Sequence, residues 1–262
     1  MAVYWKIKEI CTFTFRMNVY SVLQIGEYHL NNCEDYLFYE PIGTDKLLCA
    51  VMDGCTMGKD SYFIATLIGK LLRKIVKAKN YEEFYQLPFL ELSLEEQLKV
   101  ILKELFESLK NIKNELLLEK NEMLSTLTIL IANLKDEQGV ILVIGDGVIC
   151  INGAITEFDQ DNKPDYVGYH LSENFEEWYD KQQQKIKFSG IKDISVATDG
   201  IMSFKSIEQK ANLGDIDPVQ YMLNDTSKIE HEEMLNMKLK FLEHNIGVKP
   251  TDDLAIIRII KT

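Results

Sequence analysis

The sequence predicts an α+β fold with a largely antiparallel arrangement of strands. Strand-like runs open the chain, two amphipathic helices fill its middle, and strand-like runs return in the second half. Two of the later runs are joined by Asn152-Gly153, a strong signal for a tight hairpin turn. This order of elements favours one domain whose helices pack on a sheet.

The first half of the chain contains three predicted strands and two predicted helices. The strands cover residues 18–25, 36–39 and 47–52. Residues 61–79 repeat apolar side chains at helical spacing, and a second helix begins at the capping box formed by Ser93 and Glu96. The apolar stripe of this second helix is compatible with a coiled-coil seam, but a helix pair packed over a sheet is favoured.

The second half adds five predicted strands and two predicted helical regions. The strands cover residues 126–134, 140–144, 148–151, 194–198 and 254–260. A short helix is predicted near residues 173–183 and a longer helical region at residues 232–244.

Composition limits the function classes. The 262 residues carry a net charge of −12, so the chain lacks the basic surface that nucleic-acid binding requires. No apolar run is long enough for a membrane span, and no signal peptide is visible. Five cysteines without a C-x-x-C motif predict reduced thiols. We therefore expect a cytoplasmic protein, with an extension of unassigned role at residues 1–16 and one domain at residues 17–262.

Aspartates recur at the ends of the most apolar predicted strands. Each Asp-Gly pair alone is more simply explained as turn chemistry. Several carboxylates gathered at one edge of a sheet would repel one another unless cations bind between them, and oxygen ligands select Mg²⁺ or Mn²⁺. The positions are Glu34-Asp35, Asp53-Gly54, Asp146, Asp199 and Asp252-Asp253.

In their order and spacing these positions resemble the metal-dependent protein phosphatases, the type 2C serine/threonine phosphatase family. The opening N-E-D motif corresponds to Asn32-Cys33-Glu34-Asp35, and D-G-x-x-G corresponds to Asp53–Gly58. The later motifs correspond to Ser125–Thr128, Gly145-Asp146-Gly147, Thr198-Asp199-Gly200 and Asp252-Asp253-Leu254-Ala255.

The resemblance implies a β-sandwich of two antiparallel sheets flanked by antiparallel helix pairs, with a centre of two or three metal ions at one end. It implies that Asp53 bridges two ions, that the Gly54 carbonyl adds a ligand, and that Asp199 and Asp252 hold one ion. Glu34 would hold the other ion with Asp35 nearby, and Asp146 would serve a third. Asp253 is an alternative to Asp252, favoured less by the motif order.

The activity that the resemblance implies is hydrolysis of phosphoserine or phosphothreonine by a metal-activated water. The expected partner is a phosphorylated protein, with a serine/threonine kinase making the opposing modification. Leu30 stands where many members have a phosphate-binding arginine, and Cys55 stands where eukaryotic members have histidine. His29 is a candidate substrate contact or proton donor, although a surface role is the simpler explanation.

Some alternatives stay open at this stage. The segment at residues 155–188 corresponds to the family's variable flap, whose aromatic residues could bind a protein or pack a small subdomain. Cys55 could be redox-sensitive or an inert thiol. The phosphate-loop and Rossmann patterns of nucleotide-binding proteins are both incomplete. A phosphatase-like regulatory module without strong activity, or a phosphatase of a non-protein phosphoester, is the remaining alternative.

Overall fold

Two five-stranded antiparallel sheets form the centre of the molecule, which we describe from a computed structural model. The structure describes residues 17–29, 31–82, 88–160, 164–206 and 216–261. The extension at residues 1–16 lies outside these ranges. Leu30, at the position of the family's phosphate-binding arginine, also lies outside them. The predicted β-sandwich of antiparallel sheets with flanking helices is confirmed.

The strands are numbered in chain order. They are β1 (Met17–Gln24), β2 (Asp35–Ile42), β3 (Lys46–Asp53), β4 (Leu127–Asn133), β5 (Gln138–Ile144), β6 (Gly147–Ile151), β7 (Ala154–Phe158), β8 (Lys185–Ser189), β9 (Asp193–Ala197), β10 (Phe204–Ser206), β11 (Val248–Pro250) and β12 (Leu254–Lys261). The first sheet has the order β1-β12-β9-β6-β7 and the second has the order β2-β3-β4-β5-β8. Strands β10 and β11 form a separate short ribbon.

The helices lie on the outer faces of the two sheets. They are α1 (Ser61–Glu82), α2 (Pro88–Glu91), α3 (Leu94–Glu115), α4 (Val167–His170), α5 (Phe175–Asp180), α6 (Pro218–Leu223) and α7 (Met234–Phe241). Short 3₁₀ turns occupy Lys120–Glu122 and Asp199–Met202, and a π-helical turn, Leu242–Ile246, continues α7. In the described part of the chain, no helix has the length and apolar character needed to span a membrane.

Strand β3 shows why the central runs are uniformly apolar. Alternate side chains of a strand point to opposite faces of its sheet. Leu48 and Met52 therefore pack under α1 and α3, whereas Leu47 and Val51 pack against the first sheet. Both faces of the strand are buried, so neither face carries the polar alternation of a half-exposed strand.

Helices α1 and α3 pack side by side on the second sheet. Leu98 and Leu105 of α3 share a buried cluster with Ile68 of α1. The capping box is present as predicted, because the Ser93 side chain accepts from the Glu96 backbone N–H while the Glu96 carboxylate accepts from the Ser93 N–H. The helix pair over a sheet is confirmed, and the apolar stripe of α3 is an intramolecular contact.

The predicted strands and helices are all present, with shifted ends. Strand β2 continues past its predicted end through Pro41, which pairs with Leu47. Proline is tolerated there because β2 is the edge strand of its sheet. Asn152 and Gly153 form the predicted turn between β6 and β7. Strand β8 was not predicted, because it is a short edge strand with polar residues at alternate positions.

Candidate metal centre

The acidic residues of the predicted centre converge because the strands that carry them are antiparallel neighbours. Asp35, at the start of β2, is paired directly with Asp53, at the end of β3. In the other sheet, Asp199 follows β9, and Asp252 precedes the adjacent strand β12. Each sheet therefore brings two carboxylates to one of its ends.

Thr198 connects the two sheets at this end. Its hydroxyl donates a hydrogen bond of 2.6 Å to Asp35 Oδ2 and accepts one of 2.9 Å from the backbone N–H of Ala255. Thr198 belongs to the first sheet and Asp35 to the second, so this bond orients the Asp35 carboxylate toward the residues of the other sheet.

The three carboxyl groups of Asp35, Asp53 and Asp199 perturb one another. Burial raises the pKa of Asp35 and of Asp53 well above the ordinary value, and the neighbouring carboxylates raise both further. The Asp35 and Asp53 carboxyls are neighbours, so each one alters the pKa of the other. Burial, then the charges of Asp252 and Asp146, raises the pKa of Asp199 to about 6.

The cluster is open to solvent. Asp35 is buried, but Asp53 is partly accessible and Asp199 is exposed, although protein atoms surround both on most sides. The Asp252 side chain is 52% exposed. Asp199 and Asp252 can therefore be reached from solvent, whereas Asp35 cannot.

Glu34 is held beside Asp53 by two contacts. Its backbone carbonyl accepts the N–H of Gly54 at 3.1 Å, and its Oε1 accepts the hydroxyl of Ser61, the first residue of α1, at 2.5 Å. The second carboxylate oxygen, Oε2, is buried and has no hydrogen-bond partner among the described residues. A buried carboxylate oxygen without a donor is a position that a cation can fill.

The glycines of two Asp-Gly pairs are required by close backbone approach. A Cβ on Gly54 would lie 2.1 Å from the carbonyl oxygen of Ser61, and a Cβ on Gly200 would lie 1.8 Å from that of Asp253. No side chain fits at either position without displacing backbone. Both glycines therefore bring the loops that carry the carboxylates into contact.

Asp252 and Asp253 have different surroundings. The Asp253 carboxylate accepts the backbone N–H groups of Gly26, at 2.7 Å, and of Glu34, at 2.5 Å, and it lies 2.8 Å from His29 Nδ1. Its side chain is only 1% exposed. Asp252 instead contacts the other ring nitrogen of His29 at 3.5 Å. Its negative charge helps to raise the pKa values of Asp53 and Asp199.

Asp146 lies in the turn between β5 and β6. Its Oδ1 is a second buried oxygen without a hydrogen-bond partner in the described structure, and its charge contributes to the raised pKa of Asp199. Burial also raises the pKa of Asp146 itself. Asp146 therefore faces the cluster from the side of Asp199.

The donor set fits a divalent cation by its chemistry, although its coordination geometry is not assembled. No three His, Cys, Asp or Glu side chains within the described ranges are arranged around a common ion position. Crowded carboxylates with raised pKa values and the buried unpartnered oxygens of Glu34 and Asp146 are the features that a bound cation would relieve.

Sequence reasoning missed three residues near the carboxylates. Thr198 directly precedes Asp199 in the quoted motif, so its place near the site could be predicted. The hydrogen-bond partner of its hydroxyl could not be predicted from the sequence. Ser61 carried no signal, and Tyr166 was one of the flap aromatics predicted either to bind a protein or to pack a small subdomain. The phenol of Tyr166 lies beside the Cys55 thiol and close enough to Asp53 for that charge to act on it.

The flap segment is divided between packing and exposure. Trp178 and Tyr179 of α5 are buried in the core cluster of α3. Tyr169 is 39% exposed, and its ring meets that of Tyr166 edge to face at a centroid distance of 5.4 Å. Trp178 and Tyr179 therefore pack against the core, whereas Tyr169 of α4 contacts solvent.

Solved structures share this fold at low sequence identity. The phosphatase domain of SpoIIE from Bacillus subtilis matches with a TM-score of 0.54 and 13% identity over 94% of this chain, which spans 63% of that one. PppA from Pseudomonas aeruginosa matches with a TM-score of 0.55 and 14% identity, and the match covers 94% of this chain and 98% of that one. RsbX in complex with magnesium matches with a TM-score of 0.51 and 16% identity, and the match covers 95% of this chain and 100% of that one. None of the curated protein sequences matches the chain.

A family model extends the likeness from fold to sequence. The model described as protein phosphatase 2C matches residues 25–243, which include every carboxylate of the cluster except Asp252 and Asp253. Asp252 and Asp253 follow the matched segment and enter the cluster through β12. By its sequence and by its fold, this chain belongs to the protein phosphatase 2C family.

Proposed function

We propose that this chain is a metal-dependent phosphoprotein phosphatase that hydrolyses phosphoserine and phosphothreonine. The observation that carries the proposal is the group of mutually repelling carboxylates that both sheets bring to one open end of the sandwich. A group of carboxylates repels a phosphate dianion unless cations offset its charge. The family to which the chain belongs supports the reaction class.

The cofactors proposed are two Mg²⁺ or Mn²⁺ ions, with a third as an alternative. Oxygen-only ligation favours these ions over zinc. When bound, they would lower the pKa of a water molecule and offset charge on the phosphoryl group. The magnesium complex of RsbX supports this choice. The residues proposed to hold them are Glu34, Asp35, Asp53, the Gly54 carbonyl, Asp146, Asp199 and Asp252.

Asp252, and not Asp253, is proposed as the ligand from β12. Both oxygens of Asp253 already accept backbone N–H groups of the segment that leads to Glu34. Withdrawing either oxygen would leave a buried donor unsatisfied. The role proposed for Asp253 is therefore to fix that segment, while the exposed Asp252 is available to a cation.

His29 is proposed to position the segment that leads to Glu34. Its two ring nitrogens contact Asp253 and Asp252, and its side chain is 15% exposed. Burial lowers its pKa, but its contact with Asp253 and the charges of Glu34 and Asp252 outweigh burial, so the pKa is raised. A substrate contact through His29 stays a prediction, as do the opposing kinase and the cytoplasmic location.

The proposal is tested by changing Asp199 to Asn. We expect Asp199→Asn to lower the rate of phosphate release from a phosphothreonine peptide with Mn²⁺ by at least about a hundredfold, because a direct ligand is lost. Circular dichroism and thermal unfolding should show an intact fold. The matched control is Asp136→Asn, in the β4–β5 turn at the far end of β4 from the cluster.

Two results would contradict the proposal. Full activity in Asp199→Asn would remove that residue from the site. Mn²⁺ binding by the wild-type protein without release of phosphate would instead support a phosphatase-like regulatory module.

A further inference from the structure

Residues 164–168 of the flap are held directly over the strand segments that carry the cluster. The backbone N–H of Val167 donates to the carbonyl of Ser125 at 3.0 Å, and Ser125 forms a bridge with Gly54. A Cβ on Gly168 would lie 2.2 Å from the Met123 carbonyl oxygen, so this segment lies close against the chain before β4. The start of the flap thus has a fixed position beside Asp53-Gly54.

Local contacts also fix the backbone of Tyr166. The Asp165 carboxylate accepts the Tyr166 N–H at 3.0 Å and contacts His170 Nε2 at 2.7 Å, and His170 Nδ1 contacts Glu173 at 2.9 Å. The Tyr166 ring packs edge to face on Tyr169. These contacts fix the backbone of Tyr166 and the packing of its ring.

The Tyr166 hydroxyl has a weak hydrogen-bond acceptor beside it and lies close to the Asp53 carboxylate. It lies near the thiol of Cys55, two residues after Asp53, and near enough to Asp53 to feel that charge. A thiol is a poor acceptor, so the phenol can exchange it for a charged oxygen at a net gain. A phenol is a neutral hydrogen-bond donor at physiological pH.

We propose that the Tyr166 hydroxyl donates a hydrogen bond to a phosphoryl oxygen of the substrate. This inference rests on the proposed function and names a specificity-determining residue for it. A neutral donor suits this place, because a cationic side chain would compete with metal ions for the same carboxylates. The contact is made to the phosphoryl group in both the bound substrate and the transition state, so its loss should act on binding more than on turnover.

The test compares Tyr166→Phe with wild type, because phenylalanine keeps the ring contact with Tyr169 and removes only the hydroxyl. With a phosphothreonine peptide and Mn²⁺, we expect KM to rise about ten- to a hundredfold while kcat changes less than about threefold. In titration calorimetry with the Mn²⁺-loaded protein, the Kd of inorganic phosphate should rise by a similar factor. The Kd of Mn²⁺ and the melting temperature should stay the same.

The matched control is Tyr169→Phe, the partner ring, which should leave KM and phosphate affinity unchanged. Unchanged KM and phosphate affinity in Tyr166→Phe would overturn the inference and leave the proposed function standing. A weakened Mn²⁺ affinity would also overturn it, since Tyr166 would then act on the centre and not on the phosphate. Wild-type protein that binds phosphate through Tyr166 but releases none from the peptide would support the inference and contradict the proposed function.

Discussion

Asp252 and Asp253 are adjacent in the sequence, but their carboxylates have different surroundings. One is exposed and adds charge to the cluster, and the other is buried under two backbone donors. The motif order predicted that one of them belongs to the site. The sequence could not assign the roles, because they depend on where residues 26–34, more than 200 positions earlier in the chain, place their N–H groups.

At the residue scale we expect the two positions to respond oppositely to alanine. Asp253→Ala leaves two backbone donors and His29 without their acceptor, so it should lower the free energy of unfolding by about 2–4 kcal/mol. Asp252→Ala should leave the metal-free stability unchanged or slightly higher, because it removes a repelling charge, but it should abolish tight Mn²⁺ binding. Urea unfolding with chelator and titration calorimetry measure the two effects.

Asp253→Asn is the conservative control, since its amide oxygen can still accept one N–H group. A larger stability loss in Asp252→Ala than in Asp253→Ala would reverse the assignment.

The raised pKa values of the cluster predict how pH acts on the metal-free protein. For an acid whose pKa is higher in the folded than in the unfolded state, the folded state binds more protons between the two values. Stability therefore falls as pH rises through that interval, which for Asp199 runs from 3.8 to about 6. We expect chelator-treated protein to lose stability from pH 4 to pH 6, measured by urea unfolding. Asp199→Asn should flatten this slope, and an unchanged slope in that variant would contradict the assignment.

At the scale of elements, helix α5 attaches its part of the flap segment to α3. Trp178 packs on Phe106 of α3 at a centroid distance of 4.6 Å, and Lys99 and Lys103 of α3 form ion pairs with Glu176. The composition of the segment predicted a short helix and a group of aromatic residues. It did not predict the contact, since the partner face on α3 is about 70 residues away and looks like any other apolar stripe.

We expect burial, and not charge, to hold α5 in place. Trp178→Ala should lower the free energy of unfolding by about 3–5 kcal/mol, as for other large core aromatics. Lys103→Ala should cost less than about 1 kcal/mol, because that ion pair is exposed to solvent. Thermal and urea unfolding compare the two. Equal losses would show that the ion pairs contribute more than their exposure suggests.

Strand β12 contains a buried charged side chain, that of Arg258, within an otherwise apolar run. Arg258 is fully buried, donates two hydrogen bonds to Asp193 on the neighbouring strand β9, and reaches the carbonyls of Met222 and Asp225. The predicted strand was correct, but one arginine within an apolar run does not reveal whether its side chain is buried. Here the last turn of α6 and the loop after it supply the carbonyl acceptors.

Removing this arginine should be costly. Arg258→Met leaves the Asp193 carboxylate and the Met222 carbonyl without this donor, and we expect a loss of about 3–5 kcal/mol in the free energy of unfolding. The control is Lys261→Ala, at the end of the same strand as Arg258. It removes an ion pair with Glu137 near the surface and should cost less than about 1 kcal/mol. A loss for Arg258→Met no greater than that of the control would show that the buried pair adds nothing.

At the scale of the whole molecule, the site exists only because two sheets meet. Asp35 and Asp53 come from one sheet, Asp199 and Asp252 from the other, and the Thr198–Asp35 hydrogen bond joins them. Antiparallel pairing and the order of the motifs allowed the fold and the acidic positions to be predicted. The contacts across the sandwich could not be predicted, because they depend on how the sheets are rotated and spaced.

The measurement that tests the central claim most directly is phosphate release from a phosphothreonine peptide by the wild-type chain, with Mn²⁺ and with chelator in its place. A metal-activated water predicts turnover with Mn²⁺ that disappears with chelator and returns when the ion is restored. Folded protein that releases no phosphate under either condition, or releases it equally in chelator, would contradict the account.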